Sequence, residues 1–393
     1  MTLRTLEALG ELDGVRVFVR VDLNVPLEGG EVADDSRIAA TVPTITELLQ
    51  SGAKLVCASH LGRPRGVVEA GLSMKPVGAR LAELLDHEVR LVDDPAPASD
   101  ELPDADVVLL ENLRFDPGEE RDDPAFAGRL AELGDSYVDD AFGAAHRRHA
   151  SVSALPELML ASGRRAAAGR LLEREVDVLG RLLADPARPY VAILGGAKVS
   201  DKLSVIDALL ERVDTLLIGG AMAFTIIAAR GGSVGTSLVE PDRFEDVRTS
   251  MRKAERLGVQ IVLPVDVLTA TDIEATEAAG TVPADAIPEG HMGLDVGPGT
   301  VRAFADVIAG AKTVLWNGPM GVFEREPFAA GTNGVAMAVA DSGAFSVVGG
   351  GDSLSAVKRA GLGDRFDHLS TGGGASLEFL EGHTLPGIEI LED

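Results

Sequence analysis

The sequence predicts an α/β protein of two domains, each a parallel β-sheet flanked by helices. Three observations carry this. Short apolar runs rich in Val, Ile and Leu alternate with amphipathic stretches, the pattern of strands joined by crossover helices. The 393 residues exceed what a single core usually holds. Polar, glycine-rich sequence follows strand after strand, as expected where a sheet turns a ligand-binding rim outward at its carboxyl edge.

In the first half, strands are expected at 15–21, 54–58, 89–92, 107–110 and 136–138. In the second they are expected at 190–194, 215–218, 260–263, 313–316 and 345–348. Between the sets, residues 163–183 place Leu171, Leu172, Val176, Leu179, Leu182 and Leu183 at helical spacing, and Pro186 and Pro189 stop the pattern. This segment reads either as an interdomain connector or as an ordinary surface helix. No tandem repeat or low-complexity tract interrupts the alternation.

The charge balance narrows the function. With 36 basic and 62 acidic residues the net charge is −26, a surface that repels nucleic acid and anionic lipid. No apolar run reaches the roughly 18 residues of a membrane span, and residues 1–14 lack an apolar leader core, so a cytoplasmic location is expected. The single cysteine, Cys57, lies mid-strand and reads as a small buried apolar residue. Only seven lysines occur. Acid surplus with scarce lysine suits high salt, where screening removes self-repulsion; a GC-rich genome favours arginine over lysine as well.

Against this acidic background, basic groups cluster at the strand ends of the first half. They are Arg37 in DDSRI, His60 and Arg63 in SHLGRP, Arg114 in ENLRF and Arg147 in FGAAHRRH. Any one of them alone reads as a surface ion pair. Together they point to a small phosphorylated anion, which arginine forks bind bidentately. Asp22 and Asn24 in VDLNVP add groups that hydrogen-bond a hydroxyl or cap a turn. The arginines within His146–His149 argue against a metal there.

The second half lacks the common P-loop. It offers LGGAKVSDK, where Lys198 and Lys202 stand one helical turn apart. In VVGGGDS, three glycines precede Asp352 and Ser353, a nest for phosphate beside a carboxylate for its Mg²⁺, although Asp352 also reads as a helix N-cap. STGGGAS is a further glycine-rich turn, and WNGPMGVFE ends in Glu324, an acid suited to a ribose hydroxyl.

Taken in order, RVDLNVP, DDSRI, SHLGRP, ENLRF, DAFGAAHRRHAS, RPYVAILGGAKVSDK, IGGAMAFT, GLDVGPG, WNGPMGVFE, GGGDS and STGGGASLE resemble the phosphoglycerate kinase family over nearly the whole chain. The resemblance implies two Rossmann-like lobes, 1–165 and 185–373, joined by a helix at 166–184, with 374–393 returning to the first lobe. It implies that the first lobe binds 3-phosphoglycerate or 1,3-bisphosphoglycerate through Asp22, Leu23, Asn24, Arg37, His60, Leu61, Gly62, Arg63, Arg114 and Arg147. It implies that the second binds MgATP or MgADP through Lys202, Gly293, Asn317, Glu324, Gly350, Gly351, Asp352 and Ser353, with Asp352 meeting the metal. Arg37 and Lys198 match the residues that stabilise the transferring phosphoryl group, and the implied protein is a monomer whose lobes close for transfer. Ala221 departs from the family, which commonly carries glycine there. Two other readings stand beside this one: a kinase for a different carboxylate, and a catalytically silent nucleotide-binding homologue.

Overall fold

The computed structural model describes residues 2–393. The chain divides into two compact units, the first running to Gly180 and resuming at Thr384–Asp393, the second spanning Arg181–His383.

The first unit is built on six parallel strands: β1 (Arg16–Val21), β2 (Lys54–Ala58), β3 (Arg90–Val92), β4 (Val107–Leu110), β5 (Ser136–Asp140) and β6 (Arg165–Ala168). Their order is β3-β4-β2-β1-β5-β6. Alternation along β1 sends Val17 and Val19 to one face, where they pack with Ile38, Ile45 and Leu48 of helix Ser36–Gln50. Phe18 points the other way and stacks on Tyr137, ring centroids 6.2 Å apart. The carboxyl-terminal residues close this unit: Arg4 donates its backbone N–H to Leu391 O at 2.9 Å, and Gly387 donates to Ala145 O at 2.9 Å.

The second unit carries β7 (Tyr190–Leu194), β8 (Thr215–Ile218) and β9 (Gln260–Val262). A small antiparallel sheet follows, β10 (Asp266–Ala270), β11 (Gly280–Pro283) and β12 (Met292–Val296), ordered β11-β10-β12. The chain then returns for β13 (Thr313–Asn317), β14 (Phe345–Gly349) and β15 (His368–Leu369). The parallel order is β9-β8-β7-β13-β14-β15, so strand succession reverses between β7 and β13. A crevice for ligands opens at such a reversal. Among the described residues no helix is long and apolar enough to cross a membrane.

All ten expected strands form, and three run on past their expected ends: β5 to Asp140, β13 to Asn317 and β14 to Gly349. The helix expected over 163–183 is corrected at its start. Residues 165–168 form β6, paired with Ser136–Asp139, and the helix is Arg170–Ala184. The buried Asp140 sets this boundary, its Oδ1 accepting the N–H groups of Leu171 at 2.9 Å and Leu172 at 3.3 Å. Helix Gly374–Leu380 packs against Leu203–Leu209 within the second unit, so the chain rejoins the first unit at Thr384. The antiparallel sheet was not legible, because β11 is largely exposed and has no apolar run.

Candidate functional site

In the first unit, the loops after β1, β2, β4 and β5 form one rim. Asn112, wholly buried after β4, ties three of its segments together. Its Oδ1 accepts from the backbone N–H of Leu61 and of Arg114, both at 3.1 Å, and its Nδ2 donates to Leu61 O and Leu72 O at 2.7 and 3.0 Å. Asn24 Oδ1 accepts from Gly62 N at 2.9 Å, while Leu23 N donates to Ser59 Oγ at 2.9 Å. Arg114 Nη1 donates to Gly62 O at 2.7 Å. Arg37 Nη1 reaches both oxygens of the buried Asp22 carboxylate, at 3.1 and 3.0 Å. Polar atoms from three loops and from the helix residue Arg37 are thus held with little freedom. Arg147 is half-buried with Nε 3.1 Å from His146 Nε2, and Arg63 is exposed.

Below the rim lies a buried network that sequence reasoning missed. Arg20, mid-strand in β1, has no solvent exposure. Its Nε donates to Ser151 Oγ at 2.8 Å, Nη1 to Val21 O at 2.5 Å, and Nη2 lies 2.9 Å from His60 Nδ1. Ser151 in turn donates its Oγ–H to the buried Glu119 at 2.6 Å and its N–H at 3.0 Å. An arginine in the apolar run VFVRV was the available signal, since charged side chains are rarely buried unpaired. Burial, with Arg20 and Arg114 nearby, holds His60 well below the usual histidine range. Burial pushes His149 down to about 3, helped by the same arginines. Arg114 is lowered to about 10 by burial and by Arg20, and stays charged at neutral pH. The rim therefore combines arginine cations with neutral imidazoles.

In the second unit, the loops after β7 and β13 interlock at the reversal point. Gly195 N donates to Asn317 O at 2.9 Å and Gly196 N to Pro319 O at 3.1 Å. A Cβ on Gly195 would lie 2.1 Å from Pro319 O, so only glycine permits this approach. Ala221 sits in ordinary right-handed backbone (φ −66°, ψ −24°), which explains why a methyl group is tolerated there. After β14, Gly350 adopts φ 89° and turns the chain into helix Gly351–Arg359. Gly350 is the cap of that helix, and the Asp352 carboxylate stands exposed in its first turn, so the N-cap reading of Asp352 is set aside. Ser353 is buried and accepts Gly318 N–H at 2.6 Å, tying this turn to the β13 loop.

Two hollows adjoin here. The first, ≈ 280 Å³, has apolar walls including Phe224, Leu238, Met292, Leu294 and Val322, with Gly293 and Glu324 also lining it. The second, ≈ 380 Å³, is lined by Lys198, Lys202, Asn317, Gly350, Gly351, Asp352 and Ser353, together with Gly373 and Gly374 of the second glycine turn. Gly196, Ala197, Pro319 and Asp352 line both, so the hollows meet there. Lys202 Nζ donates to Asn317 Oδ1, and burial lowers the Lys202 pKa to about 8, against the pull of Asp201 and Asp352. An apolar slot leading into a lysine- and glycine-lined crevice is suited to a flat ring joined to anionic groups. The apolar walls were missed in the sequence because each looks like core.

The structure brings Asp22, Leu23, Asn24, Arg37, His60, Leu61, Gly62 and Arg114 into one hydrogen-bonded or electrostatically linked rim. It brings all eight expected nucleotide-site residues, and Lys198, to the two hollows.

A family model described as phosphoglycerate kinase matches residues 6–383. A phosphoglycerate kinase of Salinispora tropica is 53% identical over 406 residues, covering 100% of both chains. One from Thermus thermophilus is 54% identical over 397 residues, 98% of this chain and 100% of the relative. The solved structure of phosphoglycerate kinase from Coxiella burnetii superposes with a TM-score of 0.88 at 40% identity, covering 99% of each chain. On this agreement of sequence and structure, the chain belongs to the phosphoglycerate kinase family.

Proposed function

We propose that the chain catalyses reversible phosphoryl transfer between 1,3-bisphosphoglycerate and ADP, giving 3-phosphoglycerate and ATP, a glycolytic and gluconeogenic step. The observation that carries this reading is the pairing of two chemically distinct sites: an arginine-rich rim in one unit, and an apolar slot with a phosphate crevice in the other. The first suits a phosphorylated carboxylic acid held through Asp22, Asn24, Arg37, His60, Arg63, Arg114 and Arg147. The second suits an adenine nucleotide, its base in the apolar slot, its ribose near Glu324 and its phosphates near Lys202 and Gly350–Ser353.

A carboxylate attacking ATP is already deprotonated, so no general base is needed. The chain's task is to position both ligands and to supply positive charge to the equatorial oxygens, the role we assign to Arg37 and Lys198. Asp352 stands where the two hollows meet, and one carboxylate plus nucleotide phosphates is a donor set Mg²⁺ accepts. Bound there, Mg²⁺ neutralises phosphate charge. The phosphoryl group passes from a ligand of one unit to a ligand of the other, so turnover includes a closing motion that also excludes water. The acidic surface favours a monomer that ignores nucleic acid and anionic membranes, and a glycolytic role suits a cytoplasmic location.

A panel of carboxylate acceptors tests this. With ATP and Mg²⁺, 3-phosphoglycerate should be phosphorylated while 2-phosphoglycerate, acetate and aspartate are not. Preference for another acid would replace the assigned substrate, and nucleotide binding without any transfer would indicate a silent homologue.

A further inference from the structure

The strongest unassigned feature is the buried chain Glu119–Ser151–Arg20–His60. Arg20 is sealed from solvent, so it cannot touch a ligand. Yet one of its N–H groups points at His60, a rim residue, with Nη2 2.9 Å from Nδ1. A guanidinium only donates. Nδ1 must therefore accept with its lone pair, and the ring proton of neutral His60 must sit on Nε2. That second nitrogen has no hydrogen-bond partner among the described residues, and it is absent from their sealed, unsatisfied polar atoms. It keeps a small accessible surface, although His60 as a whole is 6% exposed. The Arg20 fork is itself fixed on its other edges by Ser151 Oγ and Val21 O, and Glu119, reached through Ser151, supplies the buried countercharge.

We propose that Arg20 is a positioning residue: it locks His60 in the Nε2–H tautomer, so that the imidazole presents a donor, never a lone pair, to an anionic oxygen of the phosphoglycerate. This rests on the function proposed above. The opposite tautomer would set a lone pair against the anion and forfeit one hydrogen bond. A protonated ring would add a further cation to a place already crowded by Arg20, Arg114 and Arg37. Arg20 thus makes a neutral residue useful in an anion site, at a position where another charge is disfavoured. Glu119 and Ser151 hold the arginine that does so.

The direct test is the tautomer of the unmodified enzyme. Protein labelled with ¹⁵N-histidine is examined by long-range ¹⁵N–¹H correlation from pH 6 to 8, with His60 assigned by the loss of its signal in His60→Gln. The expected result is a neutral ring with the proton on Nε2 throughout. An Nδ1–H ring, or an imidazolium at pH 7, would overturn the proposal. Kinetics gives a second readout. Arg20→Met should raise KM for 3-phosphoglycerate roughly tenfold, the value of one hydrogen bond to a charged group, and leave KM for ATP within about twofold. In a His60→Ala background the same substitution should add little, because the group it positions is gone; full additivity would overturn the positioning role. Because Arg20→Met strands the buried Glu119, Arg20→Met/Glu119→Gln serves if the single variant does not fold. Absence of turnover with 3-phosphoglycerate in the unmodified enzyme would instead defeat the functional reading, and the tautomer measurement is independent of it.

Discussion

Arg37 is paired with Asp22 and is proposed to stabilise the phosphoryl group, and replacing it by alanine should separate these two contributions. The Arg37 side chain is 30% exposed, while the Asp22 side chain it grips at 3.0 Å is 1% exposed. Arg37→Ala therefore leaves a carboxylate buried without its cation. Breaking a wholly buried pair costs about 3–5 kcal/mol. Arg37 is partly solvated, so water entering the vacated space screens the loss, and ~1–3 kcal/mol is expected. At roughly 2–4 °C per kcal/mol for a unit of this size, Tm falls by about 2–12 °C. Turnover should fall by about 10²-fold or more, as when an oxyanion donor is lost. Asp22→Asn in the same background removes the stranded charge and should recover at least half of the Tm loss, while kcat stays low. Calorimetry and steady-state kinetics on the single and double variants separate the effects. Near-normal kcat in Arg37→Ala would refute the phosphoryl-stabilising role; equal Tm in the two variants would refute the stranded-charge argument.

Other expectations follow from single features. Lys202 is charged below about 8, so kcat/KM for ATP should decline as pH rises through that value, and Lys202→Arg should flatten the decline. An unchanged profile in the arginine variant would assign the titration elsewhere. Gly195→Ala drives a Cβ to within 2.1 Å of a backbone oxygen, Pro319 O, and should cost ~1–3 kcal/mol and weaken ADP binding measured by calorimetric titration. Cys57 has no exposure, and burial pushes its thiol up to about 12, so it should react with a thiol reagent only after denaturation. If the net charge of −26 reflects salt adaptation, thermal scans should show greatest stability at molar KCl; full stability in dilute buffer would favour the genome-bias explanation.

Ten parallel strands were legible because most are short β-branched or leucine-rich runs buried on both faces, as in β1, β2, β4, β7 and β13; β6 and the two-residue β15 carry no such run. The lysine- and glycine-lined crevice was legible because Gly350–Ser353 and the pair Lys198 and Lys202 are unusual local chemistry in an acidic, lysine-poor chain. What stayed hidden depends on long-range neighbours. β6 reads as helix from RAAAG, and only pairing with Ser136–Asp139 and the Asp140 side chain make it a strand. The apolar slot is assembled from Phe224, Leu238, Met292 and Val322, residues far apart in sequence and individually indistinguishable from core. Arg20 stood within a quoted motif, but its partners Ser151 and His60 lie 131 and 40 residues away.

The most direct measurement is a coupled assay. Purified protein receives 3-phosphoglycerate, ATP and Mg²⁺, and NADH oxidation is followed through glyceraldehyde-3-phosphate dehydrogenase. Turnover that requires all three and is lost in Lys198→Ala is the predicted result. No turnover in folded protein that binds both 3-phosphoglycerate and ATP would contradict the account.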